Sequence, residues 1–140
     1  MRAFVDSNLW IYRLDPREPV KAKRLGRWLR DLESHSQIVI STQVMIEVRS
    51  VLTRKFVPAL PADAVGEVLA AMAAFEVVNT DATLVQDAHV LTSRLQLSWF
   101  DALIVEAAVR SGCERLYSED LQHGRTIDGL TILNPFRDHP

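Results

Sequence analysis

Short apolar runs alternate along the chain with longer segments of helical period. Arg2–Val5, Gln37–Ile40, Glu76–Asn79 and Arg115–Ser118 are brief and apolar, and they read as strands buried on both faces. Leu130–Leu133 reads as a fifth strand, at the sheet edge, stopped by Asn134-Pro135. Between them the apolar positions recur at helical spacing. The predicted helices are Leu9–Leu14, Val20–Leu32, Gln43–Phe56, Asp63–Phe75, Ala82–Leu95 and Trp99–Arg110. Asp6-Ser7-Asn8, Ser41 or Thr42, and Ser98 offer side chains that cap helices; Gly112 ends the last one.

Strands of this kind separated by amphipathic helices predict an α/β fold of three layers. A central, mostly parallel sheet of about five short strands is flanked on both sides by helices. With 140 residues, the expectation is a single domain over 1–140. The longest apolar run, Val68 to Phe75, has eight residues, against the roughly 18 that a membrane span needs. The chain opens without a charged head and apolar stretch, and it carries a single cysteine, Cys113. A disulfide framework and a thiolate zinc site are excluded, and a cytoplasmic location is the expectation.

The net charge of -2 is unevenly spread. Arg13 to Arg30 holds seven basic and two acidic residues, so the rest of the chain sums to -7. A near-neutral total argues against coating duplex DNA, yet allows a local basic stripe beside an acidic pocket. Arg13 and Arg17, with Arg49 further on, are the candidates for phosphate or partner contact, against the plainer role of a solvated helix face.

The acidic pocket follows from position. An open parallel sheet binds its ligand beyond the carboxyl ends of its strands. Asp6 directly follows strand one, and Asp120 lies just past strand four. Glu47 stands about one turn into the helix after strand two, and Asp101 in the first turn of the helix that Ser98 caps. Singly, each has an ordinary reading: helix cap, capping-box partner, surface carboxylate, turn residue. Together they gather at one edge. Two unit charges about 5 Å apart cost about 3 kcal/mol at an effective dielectric near 20. None of the three lysines, Lys21, Lys23 and Lys55, lies near a strand end. A divalent ion is the remaining partner, and an all-oxygen donor set favours Mg²⁺ or Mn²⁺ over zinc.

These residues carry a resemblance. Phe4-Val-Asp6-Ser-Asn8, Glu47, Ser98-Trp-Phe-Asp101-Ala-Leu-Ile104 and Tyr117-Ser-Glu-Asp120 with Leu130 to Phe136 resemble the PIN-domain family, and within it the VapC-type toxins of bacterial toxin–antitoxin pairs. The resemblance covers nearly the whole chain in order and spacing. It implies a Mg²⁺-dependent endoribonuclease, with Mn²⁺ able to substitute, that hydrolyses RNA with an activated water. It places Asp6, Glu47, Asp101 and Asp120 in the catalytic set and Asp6 and Asp101 on the metal. Glu47 and Asp120 either hold a second ion or orient waters. Asn8 and Ser118 support the site. Glu119 adjoins Asp120 and competes with it; the family pattern favours Asp120. The implied partners are RNA, a cognate antitoxin that wraps the first helices, and a second copy in a homodimer; no membrane is involved.

Three other functions compete. A metal-dependent DNA nuclease of the same fold would need a larger basic surface. A receiver domain would need a Lys after a late strand, which is missing. A catalytically silent binding module would bind no metal. His35, His89, His123 and His139 lack metal-ligand spacing, and Cys113 reads as an apolar filler. Trp99-Phe100 has the chemistry of a base-stacking pair, but at the head of an apolar helix it is assigned to core packing.

Overall fold

The computed structural model describes residues 1–137. The elements follow in the order β1 (Arg2–Val5), α1 (Ser7–Leu14), α2 (Pro19–His35), β2 (Gln37–Ser41), α3 (Thr42–Arg54), α4 (Ala62–Ala73), β3 (Glu76–Val78), α5 (Ala82–Leu95), α6 (Trp99–Arg110), β4 (Arg115–Tyr117), β5 (Thr126–Ile127) and β6 (Leu130–Leu133). One six-stranded sheet has the order β3-β2-β1-β4-β6-β5. Every pairing is parallel except β5 with β6.

The expected α/β architecture is therefore present, with one strand more than anticipated. β6 is not the edge strand. β5 lies outside it, joined through Asp128 (φ 48°) and Gly129 (φ 84°). Two consecutive left-handed residues make the tight turn that matches strand twist, and Asp-Gly is among the pairs that adopt it most readily.

β1 is the centre. Ala3, Phe4 and Val5 are wholly buried, with β2 on one side and β4 on the other. The chain moves outward from β1 to β2 to β3 through α1–α4, then returns past β1 to β4 through α5 and α6. Right-handed crossovers in opposite directions put the two helix sets on opposite faces. α2 and α3 pack on β2 from one face, and α6 packs on β2 and β4 from the other. Val44, Val48 and Leu52 of α3 and Ala102 to Val105 of α6 fill the two interfaces. Strand order reverses beside β1, so the carboxyl ends of β1 and β4 mark the switch point at which open parallel sheets bind their ligands.

The amino ends of the strands are fastened by charge. Arg2 forms a two-pronged ion pair with Glu76, and its Nε donates to the Ser111 carbonyl at 2.8 Å. Gln37 Nε2 donates to the same Glu76 carboxylate at 3.0 Å.

A candidate metal-dependent nuclease site

At the other ends of the strands the chemistry is reversed. Asp6 is the residue where β1 stops: its amide still donates to the Tyr117 carbonyl at 3.0 Å, continuing the β1–β4 ladder. Its side chain then caps α1, Oδ1 accepting from the Ser7 amide at 2.7 Å. Oδ2 accepts from Ser118 Oγ at 2.8 Å. Asp6 is only 5% exposed; Oδ1 also accepts from Ser7 Oγ at 3.4 Å, and Oδ2, with Ser118 as its one donor, keeps a further lone pair.

Ser118, buried where β4 ends, is the hub. It donates to Asp6 and accepts from Asn8 Nδ2 at 3.3 Å and from the Asp120 amide at 3.2 Å. Asn8 donates also to Asp120 Oδ2 at 3.0 Å, while its Oδ1 accepts the Glu119 amide at 3.3 Å. The pair Asn8 and Ser118 thus fixes Asp6 and Asp120 relative to each other. The Glu119 side chain goes elsewhere, to the Tyr12 hydroxyl, and this bond leads the causes that push the Tyr12 phenol up to about 12. Of the two neighbouring acids, Asp120 is the one whose carboxylate faces Asp6.

Glu47 comes from α3, which Ser41 caps through the Val44 amide. Asp101 comes from the first turn of α6, capped by Ser98 through Asp101's own amide at 3.4 Å. Both lie close enough to act on Asp6 electrostatically. Burial raises the Asp6 carboxyl to about 6, against the pull of its bonds to Ser118 and Ser7, and the charges of Asp120 and Asp101 add to the rise. Glu47 is raised too, first by burial, then by the charge of Asp6, with Asp101 contributing. Hydrogen bonds from Gln43 and Ser7 offset part of this.

All four expected carboxylates therefore share one edge. Among the described residues none of them forms an ion pair with a Lys or Arg. A divalent cation suits this donor set: anionic oxygens, excess negative charge, and a free lone pair on Asp6 Oδ2. Among the described residues no three His, Cys, Asp or Glu side chains are drawn together into a ready-made metal cage. An ion here would take few protein ligands and keep waters, the habit of Mg²⁺ rather than of zinc.

The arginines are outside the cluster. Arg17 is committed to Asp15, through Nε to Oδ1 and a second nitrogen to Oδ2, each at 2.9 Å, and lies over the Phe56 ring. Arg13 is exposed, its guanidinium against Gly26, where a Cβ would come within 2.8 Å of Nε. Arg49 is exposed beside an apolar groove formed by Thr42, Met45, Ile46 and Leu69.

Two residues of the site escaped the sequence reading. Gln43 is buried, and its Nε2 donates at 3.3 Å both to Glu47 Oε1 and to the Phe100 carbonyl, joining α3 to α6. Its place one turn before Glu47 was the available signal. Ser7 reaches Glu47 from beside Asp6. One expectation fails. Phe100 is 63% exposed and Trp99 38%, so the pair does not pack in the core. Leu103, Ile104 and Ala107, on the same helical stripe as Phe100, are buried. The first turn of α6 extends past the layer that covers the later turns.

The sequence matches the family model described as "PIN domain" over residues 3–127. No protein with a curated description matches it significantly. Among solved structures, the fold is similar to a chain of the Rickettsia felis VapBC2 complex bound to a promoter DNA fragment, with TM-score 0.67, 16% identity, and 96% of this chain and 98% of that one covered. A toxin–antitoxin complex from Klebsiella pneumoniae is similar at TM-score 0.64 and 20% identity, covering 92% and 95%. Mycobacterium tuberculosis VapC20, a sarcin-ricin loop cleaving toxin, is similar at TM-score 0.59 and 18% identity, covering 84% and 91%. With the family model spanning every strand of the parallel core except β6, the chain belongs to the PIN domain family.

Proposed function

We propose that this chain is a Mg²⁺-dependent endoribonuclease, the toxin of a toxin–antitoxin pair, acting in the cytoplasm as a single nuclease domain. The observation that carries this reading is the placement of Asp6, Glu47, Asp101 and Asp120 at one sheet edge, within electrostatic reach of one another, where none of them forms an ion pair with a Lys or Arg among the described residues. The VapC20 likeness supports RNA as the substrate class. The two neighbours solved as toxin–antitoxin assemblies support a small antitoxin partner. A homodimer is the assembly the family resemblance implies.

Asp6 and Asp101 would hold the ion, and Glu47 and Asp120 would hold a second one or orient waters around the first. When bound, such an ion supplies positive charge at a phosphodiester oxygen and acidifies a water. Asn8 and Ser118 keep Asp6 and Asp120 in fixed orientation, so that neither swings away when its charge is engaged. Burial of Asp6 strengthens its hold on a cation, since little water competes. Attack of water on phosphorus with cleavage of the P–O3′ bond, the departing 3′-oxygen taking up a proton, would leave a 5′-phosphate and a 3′-hydroxyl without use of the 2′-hydroxyl. Preference for RNA must then arise in binding.

The test is cleavage of RNA by purified protein with Mg²⁺, with Mn²⁺ and with a chelator, followed by mapping of the ends. Cleavage with either metal, 5′-phosphate products and silence in the chelator are expected. Unchanged cleavage by Asp6→Asn or Asp101→Asn protein would overturn the assignment. Equal cleavage of a DNA strand of the same sequence would move the reading to a DNA nuclease.

A further inference from the structure

We propose that Phe100, flanked by Trp99, is a stacking platform for an unpaired nucleobase next to the scissile phosphate. The inference rests on the ribonuclease reading and names how that site holds its substrate.

Phe100 is the most exposed aromatic ring among the large exposed hydrophobic side chains, and Trp99 beside it is the next. Both stand at the head of α6, immediately before Asp101. The remaining apolar side chains of that helix, from Ala102 to Ala108, are buried in the core, save for the half-buried Val109 beyond them. Exposure is thus confined to the turn that reaches the acidic edge. Phe100 is also held there. Its carbonyl accepts from the buried Gln43 amide group, which in the same geometry donates to Glu47. The ring therefore sits on backbone fixed to two of the four carboxylates, Asp101 by adjacency and Glu47 through Gln43.

Charge decides what can lie on it. The edge is negative, so it repels a polyanion everywhere except where a cation balances the phosphate. The part of a nucleotide able to approach bare aromatic rings beside these carboxylates is the base, which is flat, uncharged at neutral pH and stacks on an aromatic ring whatever its identity. A second copy of the chain is a poorer occupant. A twofold contact through Phe100 would bring together two acidic edges whose carboxylates have no Lys or Arg ion-pair partner among the described residues.

The test uses full-length protein made inactive by Glu47→Gln, which leaves Asp6 and Asp101 in place for the ion and keeps an oxygen for the bond from Gln43. Binding of fluorescein-labelled 12-nucleotide oligo(A), oligo(U) and an abasic ribose-phosphate strand is followed by anisotropy in Mg²⁺. Affinity is expected in the order oligo(A), oligo(U), abasic. Phe100→Ala should weaken oligo(A) by about 5- to 150-fold. It should leave the abasic strand unchanged and bring the three strands level. Phe100→Trp should restore the order, whereas Phe100→Leu, apolar but not aromatic, should not. Two results overturn the proposal: Phe100→Ala that binds all three strands as its parent does, or Phe100→Ala that shifts the oligomeric state in sedimentation while RNA affinity stays. Cleavage of RNA by wild-type protein, measured in parallel, separates the two levels. If cleavage is present and stacking absent, only the present inference falls; if wild-type protein neither binds nor cleaves RNA, the ribonuclease reading falls with it.

Discussion

The two ends of β1 are only a few residues apart, yet they treat charge in opposite ways. At the amino end, Arg2 and Glu76 neutralise each other, and Gln37 and the Ser111 carbonyl take up the remaining polar groups. At the carboxyl end, Asp6 is buried and carries hydrogen bonds but no counter-ion among the described residues, and Glu47, Asp101 and Asp120 stand close enough to interact with it electrostatically. The amino end is what a folded chain does with charge when only stability is at stake. The carboxyl end costs stability in the metal-free protein, and such a cost is common where a site must engage a charged ligand.

The largest effect expected from breaking this contrast is on activity. Asp101→Asn or Asp6→Asn should lower the rate of Mg²⁺-dependent RNA cleavage by about 10³-fold or more, as expected when several kcal/mol of charge stabilisation are lost. Next is a stability effect of opposite sign. The Asp6 carboxyl rises from 3.8 unfolded to about 6 folded, so the fold favours its protonated form. That contribution is whole below pH 3.8 and is lost as pH climbs through about 6. In chelator at pH 7.5, Asp6→Asn protein should exceed wild type in stability by up to about 3 kcal/mol, with the gap closing toward pH 4. Urea unfolding across that range measures it, and saturating Mg²⁺ should raise wild type while leaving the variant nearly unchanged.

Smaller still, Asn8→Ala and Ser118→Ala should each reduce cleavage by about 10- to 100-fold through loss of orientation, with folding intact by circular dichroism. The smallest effect belongs to the amino end. Arg2→Met should cost about 1 kcal/mol in urea unfolding and leave the cleavage rate per folded molecule as it was. If Arg2→Met instead abolished cleavage in folded protein, the two ends would not be independent.

Much of this was legible in the residues. β1, β2 and β4 are buried on both faces, and uninterrupted apolar letters betray such strands. The four acids could be placed because each follows a strand or starts a helix, and chain direction alone sends them to one edge. What escaped depended on contacts between distant segments. Gln43 is an unremarkable helical residue until α6 comes within reach of its amide. Phe100 reads as core because its stripe continues through Leu103 and Ile104; only the position of the sheet beneath α6 leaves it bare. β5 is a different case. Asp128-Gly129 between Thr-Ile and Leu-Thr-Ile is a local hairpin signal, but a two-residue strand is too short to stand out as an apolar run.

The shortness of β1 gives it a further role as a ruler. Three residues, Ala3, Phe4 and Val5, separate the clasp at Arg2 from the cap at Asp6, and successive side chains of a strand point to opposite faces. Inserting or deleting one residue between them would invert which side of the sheet Asp6 addresses, parting it from Ser118 while the clasp stayed shut. The segment can exchange its apolar side chains for others of similar bulk, but its length is not free to drift.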